Sequence, residues 1–169
     1  MTTAPSVSTL QPPAARPSTQ RLRRLRLARA LAGASVRSVL VPQASVRHRR
    51  RLAVCRAADT LTALGVRVRV IGPAVPWPRS GRVIVSDSTG RLGDLALATM
   101  AQGAPIVGLD LPGRTVPAGA AVCPVAVRYR LDDGEHLPAE RVPTSLRGIA
   151  AVRGLVVELH LLPALAAAA

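Results

Sequence analysis

Between Arg82 and Met100 the chain sets Ser88, Thr89, Arg91 and Asp94 on a polar turn that joins an apolar strand, Val83 to Val85, to an apolar-periodic helix. The Asp94 carboxylate follows Thr89 by five residues. At that spacing one residue orients another across the first turn of a helix, and several enzyme classes place a base and its orienting acid this way. Here the base position holds Thr89, which has no group that titrates near neutrality. A simpler reading is also open. Acids are common in the first helical turn, where they favour the helix dipole, and Ser88 and Thr89 are then capping residues.

The segment RVIVSDSTGRLGDLALATM resembles the catalytic motif of the glycerolipid acyltransferases, the 1-acylglycerol-3-phosphate (lysophosphatidate) acyltransferase family. Their pattern is N-H-x-S-x-x-D after a short apolar strand. Ser88 and Thr89 stand where the family has Asn and His, Arg91 where it often has Ser, and Asp94 on the Asp. Downstream, Gly119 to Leu131 is similar to the family's late strand with its V-P-V-A core, here Val122, Cys123, Pro124, Val125 and Ala126. Leu146 to Leu165 is similar to the helix and strand that close bacterial members, and Leu64 to Pro73 to their lead-in strand. Together these matches cover most of the chain from Leu61 onward. The family's phosphate-binding E-G-T-R segment is reduced to Gly113 to Val116, without its Glu.

The resemblance implies acyl transfer from an acyl-CoA or acyl carrier protein thioester, a co-substrate, to a lysophospholipid hydroxyl, with no bound cofactor and no metal. Asp94 would orient, Thr89 or Ser88 would occupy the former base position, and Arg91 or Arg114 would meet the acceptor phosphate. In the family the His takes the proton of the attacking hydroxyl and the Asp fixes its tautomer. Loss of a general base costs roughly 10²- to 10⁴-fold, so the implied activity is impaired. A non-catalytic relative that binds lipid or a partner enzyme is the alternative.

Other residues offer less. Cys55 and Cys123 are too few for a disulfide framework, and Cys123 in an apolar strand reads as a small core residue. Asp132, Asp133, Glu135 and His136 group acids with a histidine around Gly134, but such residues typify a solvated surface turn. His48 lies among arginines, and His160 in a C-terminal strand has no partner visible in the sequence. No nucleophile elbow, Walker loop, dinucleotide fingerprint or zinc spacing is present.

Charge sets the setting for this chemistry. The 169 residues carry a net charge of +14 and no Lys, Asn or Phe. No acid precedes Asp59, whereas Arg16, Arg21, Arg23, Arg24, Arg26, Arg29, Arg37, Arg47, Arg49, Arg50, Arg51 and Arg56 all do. Arg21 to Leu40 has apolar residues at Leu22, Leu25, Ala28, Ala32, Val36 and Val39, at helical spacing, with Arg on its other faces. A helix of this kind lies on an anionic bilayer, where each arginine near the surface contributes about 1 kcal/mol, or docks on nucleic-acid phosphates; a solvated or disordered basic leader is the bland reading. Arg21, Arg23, Arg24, Arg26 and Arg29 are the candidate membrane-surface residues. With aromatics at 1% there is little to stack on bases, so nucleic-acid binding would be nonspecific and salt-dependent.

No run approaches the ~18 to 20 uncharged apolar residues of a membrane span. The arginine-interrupted front reads neither as a cleaved signal peptide nor as a twin-arginine signal. The expected setting is cytoplasmic, peripheral on the inner face of the cell membrane.

The elements that must position the motif follow from pattern. Residues 1–20, rich in Pro, Ser and Thr, read as a disordered tail, residues 21–64 as a basic helical segment, and residues 65–169 as a shortened acyltransferase-like domain. Pro42 separates the first basic helix from a second, Ser45 to Leu64, which Gly65 ends as a C-cap. Val66 to Ile71 alternates as a strand with one buried face, and Gly72 to Gly81 is a proline-rich loop. Strands follow at Val83 to Val85, Pro105 to Leu109, Val122 to Leu131 and Leu155 to Leu162. One helix runs to Gln102, and Thr144 caps another, shorter one. The alternation predicts a single α/β domain, a mixed sheet flanked by helices with a basic helical N-terminal extension. At 49% apolar content but with almost no aromatics, its core is built from Leu, Val, Ala and a few Ile.

Overall fold

A computed structural model describes residues 12–40, 46–73, 75–88, 90–101, 104–108 and 119–165. Four α-helices, α1 (Pro17–Leu40), α2 (Val46–Leu64), α3 (Arg91–Met100) and α4 (Leu146–Ala151), accompany six strands. The strands are β1 (Arg67–Ile71), β2 (Arg82–Ser86), β3 (Ile106–Gly108), β4 (Ala121–Arg130), β5 (His136–Leu137) and β6 (Val156–Leu161). They form one mixed sheet in the order β1-β6-β4-β2-β3, with β5 paired to β4. β1 runs parallel to β6, β4 antiparallel to β6, and β2 parallel to both β4 and β3. The chain is thus a single α/β domain with a mixed sheet, as the alternation of elements predicts.

Leu27 of α1, Leu61 and Leu64 of α2, Leu92, Ala96 and Leu97 of α3 and Ile149 of α4 all join one apolar cluster. From the sheet the cluster takes Ile84 of β2, Val125, Val127 and Tyr129 of β4, and Val157 and Leu159 of β6. All four helices therefore lie against one face of the sheet. Burial of each large aliphatic side chain there contributes about 1.5 to 3 kcal/mol, and no other aromatic joins Tyr129 at the centre. Strand alternation sends the intervening residues to the opposite face: Arg67 and Arg69 of β1, Glu158 and His160 of β6, and Arg128 and Arg130 of β4. Among the described residues no helix covers that face.

Several local expectations meet their physical cause here. Gly65 ends α2 at φ +70°; its amide donates to the Thr62 carbonyl and the Val66 amide to that of Leu61, each at 3.0 Å. This is a Schellman cap, and it turns the chain straight into β1. At the start of α4 the cap is Ser145, not Thr144: the Ser145 hydroxyl accepts from the Gly148 amide at 3.0 Å. Either hydroxyl could serve, and the extended backbone at Ser145 decides. The proline-rich loop is pinned where the Trp77 indole N–H donates to the Leu162 carbonyl at 2.7 Å.

Residues 1–11 of the expected tail lie outside the described residues; residues 12–20 and the basic helices are packed onto the domain. Residues 13–15 pair with the end of α4, Ala15 N–H donating to the Ala151 carbonyl at 2.7 Å and Arg153 N–H to that of Pro13 at 2.9 Å. α1 begins at Pro17 and packs on α2 and α4, so the basic helices share the sheet's core. The face α1 buries is not the stripe that holds Leu22 and Leu25. Leu27, Ala30 and Leu31 turn inward, while Leu22 is 46% and Leu25 is 68% exposed. No described helix is long and apolar enough to cross a membrane.

Candidate functional site

The turn between β2 and α3 is fixed by polar contacts more than by packing. Asp87, just past the end of β2, accepts the Val127 amide at 2.8 Å with Oδ1 and the Arg128 guanidinium at 2.9 Å with Oδ2, which prolongs the β2–β4 pairing by a side chain. The Ser88 amide donates to Ser86 Oγ at 3.0 Å, and the Ser88 hydroxyl reaches the Gly90 carbonyl at 3.3 Å. Gly90 occupies the N-cap of α3 with extended backbone and offers no capping side chain.

Two hydroxyls gather where a cap would sit. Ser88 contacts both the Asp94 carboxylate and the Tyr129 phenol, and the Tyr129 hydroxyl lies beside the Gly93 amide. Gly93 must be glycine for this to occur. A Cβ there would overlap Ser88 Oγ and stand 2.9 Å from Tyr129 Oη. Strand β4 thus delivers a buried phenol, and the β2 turn a serine, to the first turn of α3. Asp94 completes the group from an exposed position on that turn.

Electrostatics favour the protonated forms. Burial raises the Tyr129 phenol above its usual value; the Ser88 hydroxyl and the Gly93 amide offset this in part, and the negative charges of Asp94 and Asp87 add to it. Partial burial likewise raises the Asp94 carboxyl, against the Ser88 hydrogen bond. In front of the turn lies an open groove of about 220 Å³ lined by residues that include Gly90, Arg91, Leu92, Tyr129, Glu140 and Thr144. Arg91 stands at its exposed rim.

Of the residues singled out in the sequence, Ser88, Asp94 and Arg91 come together at this turn. Thr89 and Arg114 lie outside the described residues. No histidine lines the groove: His48 is on α2, His136 on β5 and His160 on the uncovered face of β6. Arg21, Arg24, Arg26 and Arg29 are exposed on α1, but Arg23 is turned inward. Its Nη1 donates to the Val152 carbonyl at 2.7 Å and to that of Ala150 at 3.4 Å, and its guanidinium packs over Gly65, so it ties the end of α4 to the cap of α2.

Cys123 is fully buried, with burial raising its thiol, as a core cysteine; Cys55 is exposed. The 132–136 loop is a turn: Gly134 has φ +89°, Asp133 Oδ1 accepts the Glu135 amide at 3.0 Å, and Asp132 pairs with Arg67. Among the described residues no group of His, Cys, Asp and Glu is placed to hold a metal.

Sequence reasoning missed Tyr129, Asp87 and Gly93. Tyr129 is the one tyrosine in the chain and falls in phase with Val125 and Val127 on β4, so its inward face was readable, though its meeting with Ser88 was not. It also missed Glu158. That acid is buried and is met by Arg130 Nε at 3.1 Å, His160 Nε2 at 3.3 Å and Arg69 Nη1 at 3.6 Å, which gives His160 the partner the sequence did not show. No family model matches the chain, and neither a curated protein nor a solved structure does.

Proposed function

We propose that this chain is a lysophospholipid acyltransferase-like protein that binds lipid at an anionic membrane surface, on the cytoplasmic leaflet, with its acyl-transfer chemistry lost or strongly impaired. The outer face of α1 carries the reading. Leu22 and Leu25, three residues apart and therefore on one side of the helix, are exposed among Arg21, Arg24, Arg26 and Arg29. An interfacial helix puts such leucines at the acyl boundary and such arginines among the head groups. Nucleic acid would satisfy the arginines and leave both leucines in water.

The α3 turn supports the second half of the proposal. Asp94 retains the place of an orienting acid, but its described neighbours are the Ser88 hydroxyl and a phenol held protonated, neither of which accepts a proton near neutrality. Arg91 remains available to a phosphate at the groove's rim. Co-sedimentation with phosphatidylcholine vesicles, with and without phosphatidylglycerol, tests the first half: binding is expected only to the anionic set, weakened by salt and by Leu25→Ser. Binding indifferent to vesicle charge would overturn it. Acyl transfer from acyl-CoA or acyl carrier protein to a lysophospholipid tests the second half. Wild type is expected at or near background and Thr89→His above it, whereas wild-type turnover at the Thr89→His level would show that no base is missing.

A further inference from the structure

β1 ends the sheet, and its one strand neighbour among the described residues is β6. The Arg67 amide donates to the Leu155 carbonyl at 3.1 Å. By strand alternation Arg67, Arg69 and Ile71 turn their peptide groups toward β6, while Val68 and Val70 turn theirs to the open edge. Two sets of side chains flank that edge. On the helix side Val68 reaches the core but Val70 is 52% exposed; on the uncovered side stand Arg67, Arg69 and Ile71, the last 40% exposed.

We propose that this edge takes up an extended acidic segment of a partner protein as an added strand, its carboxylates alternating with apolar residues. Strand addition uses main-chain hydrogen bonds for affinity and the alternate side chains for selection. An incoming strand would lay its apolar residues beside Val68 and Val70 and its carboxylates beside Arg67 and Arg69. Those carboxylates would enter a groove of about 520 Å³ whose lining includes three arginines, Arg67, Arg69 and Arg130, and two acids, Asp132 and Glu158.

The cations are in surplus there. One Glu158 oxygen is shared by Arg130 at 3.1 Å and His160 at 3.3 Å. Arg69 stands 3.6 Å from the other oxygen with its side chain 71% exposed, so most of its donors face solvent.

The same charges argue against a second copy of this chain as the occupant. Antiparallel pairing of the whole of β1 with itself sets Arg69 opposite Arg69, and the register centred on Val68 sets Arg67 opposite Arg69; like charges in direct opposition destabilise a strand pair, which leaves only the shortened register centred on Val70, with Arg69 opposite Ile71. Residues 1–11 of the chain contain no acid and so do not supply the charge either.

The proposal stands independently of lipid binding, and its test contains no vesicles. The probe is a short fluorescein-labelled peptide of alternating valine and glutamate, with a valine–lysine peptide as its counterpart, read by fluorescence anisotropy against the full chain. Wild type is expected to bind the glutamate peptide in a salt-sensitive way and not the lysine peptide, and Arg69→Glu to exchange that preference. Val70→Pro removes an amide that faces away from β6, so it is expected to weaken the glutamate peptide by about tenfold or more while the circular dichroism spectrum and thermal midpoint stay near wild type. Should Val70→Pro fail to fold, the charge exchange at Arg69 still decides. Absence of binding, equal binding of both peptides, or undiminished binding by a folded Val70→Pro would overturn the proposal. So would a dimer of the chain that Arg69→Glu dissociates.

Discussion

The two faces of the sheet are built from the same strands and obey different rules. On β4, Val125, Val127 and Tyr129 enter a sealed aliphatic core, while Arg128 and Arg130, one residue out of phase, stand on a face without a helix. On β6, Leu159 and Glu158 are both buried, the first by α-helices and the second by the guanidinium and imidazole groups of its neighbours. Burial of Leu159 comes from packing and that of Glu158 from long charged side chains that lay their stems over the sheet. The covered face fixes the fold. The uncovered one carries exposed cations beside β1, the end strand of the sheet among the described residues.

This difference can be broken most sharply at adjacent residues. Leu159→Ala empties a fully buried site among helices and is expected to cost roughly 2 to 5 kcal/mol in urea unfolding, with little response to salt. Gly93→Ala tests the place where the covered face turns polar. The new methyl must displace Ser88 Oγ and the Tyr129 hydroxyl together, at a cost of about 1 to 3 kcal/mol, and Ser88→Ala is expected to restore part of it by vacating the nearer contact. Glu158→Gln should cost less, about 1 kcal/mol, because Arg69 and Arg130 are 71% and 47% exposed and water screens the charges left behind. High salt should narrow that gap. If Glu158→Gln destabilised as much as Leu159→Ala, the uncovered face would be structural to the same degree as the core.

How much of this was readable beforehand follows from the range of each interaction. Elements declared by local pattern were legible: the Val and Arg alternation of β1, the apolar run of β2, the periodicity of α3 and the Gly65 cap each rest on contacts within a few residues. The place of β6 between β1 and β4, antiparallel to β4, depends on pairings far apart in sequence and was not. The same limit hid the site. Ser88 and Asp94 are local to one turn and were found together, but Tyr129 reaches them only through the parallel pairing of β2 with β4. On α1 the apolar stripe read from the sequence held Leu22 and Leu25, whereas docking on α2 and α4 buries Leu27 and Leu31, which that reading did not single out. Arg23 looked like any surface cation because its acceptors, the Ala150 and Val152 carbonyls, belong to the far end of the chain.

The smallest expected effect is the most specific to the site. Because the chain has one tyrosine, its ultraviolet absorbance in an alkaline titration reports Tyr129 alone. The folded phenol is expected to ionise above the usual value of about 10, since burial raises it. Asp94→Asn should bring the midpoint down by removing a negative charge, and Ser88→Ala should carry it further up by removing a hydrogen bond that favours the phenolate. The sign for stability is fixed by the same shift. Above the unfolded phenol's pKa and below the folded one, the native state holds a proton that the unfolded chain has released. Stability from this group is therefore complete below about pH 10 and is lost as pH rises through the folded value. A folded Tyr129 that titrates like free tyrosine, unmoved by either substitution, would mean that the phenol does not meet Ser88 and Asp94 at the first turn of α3.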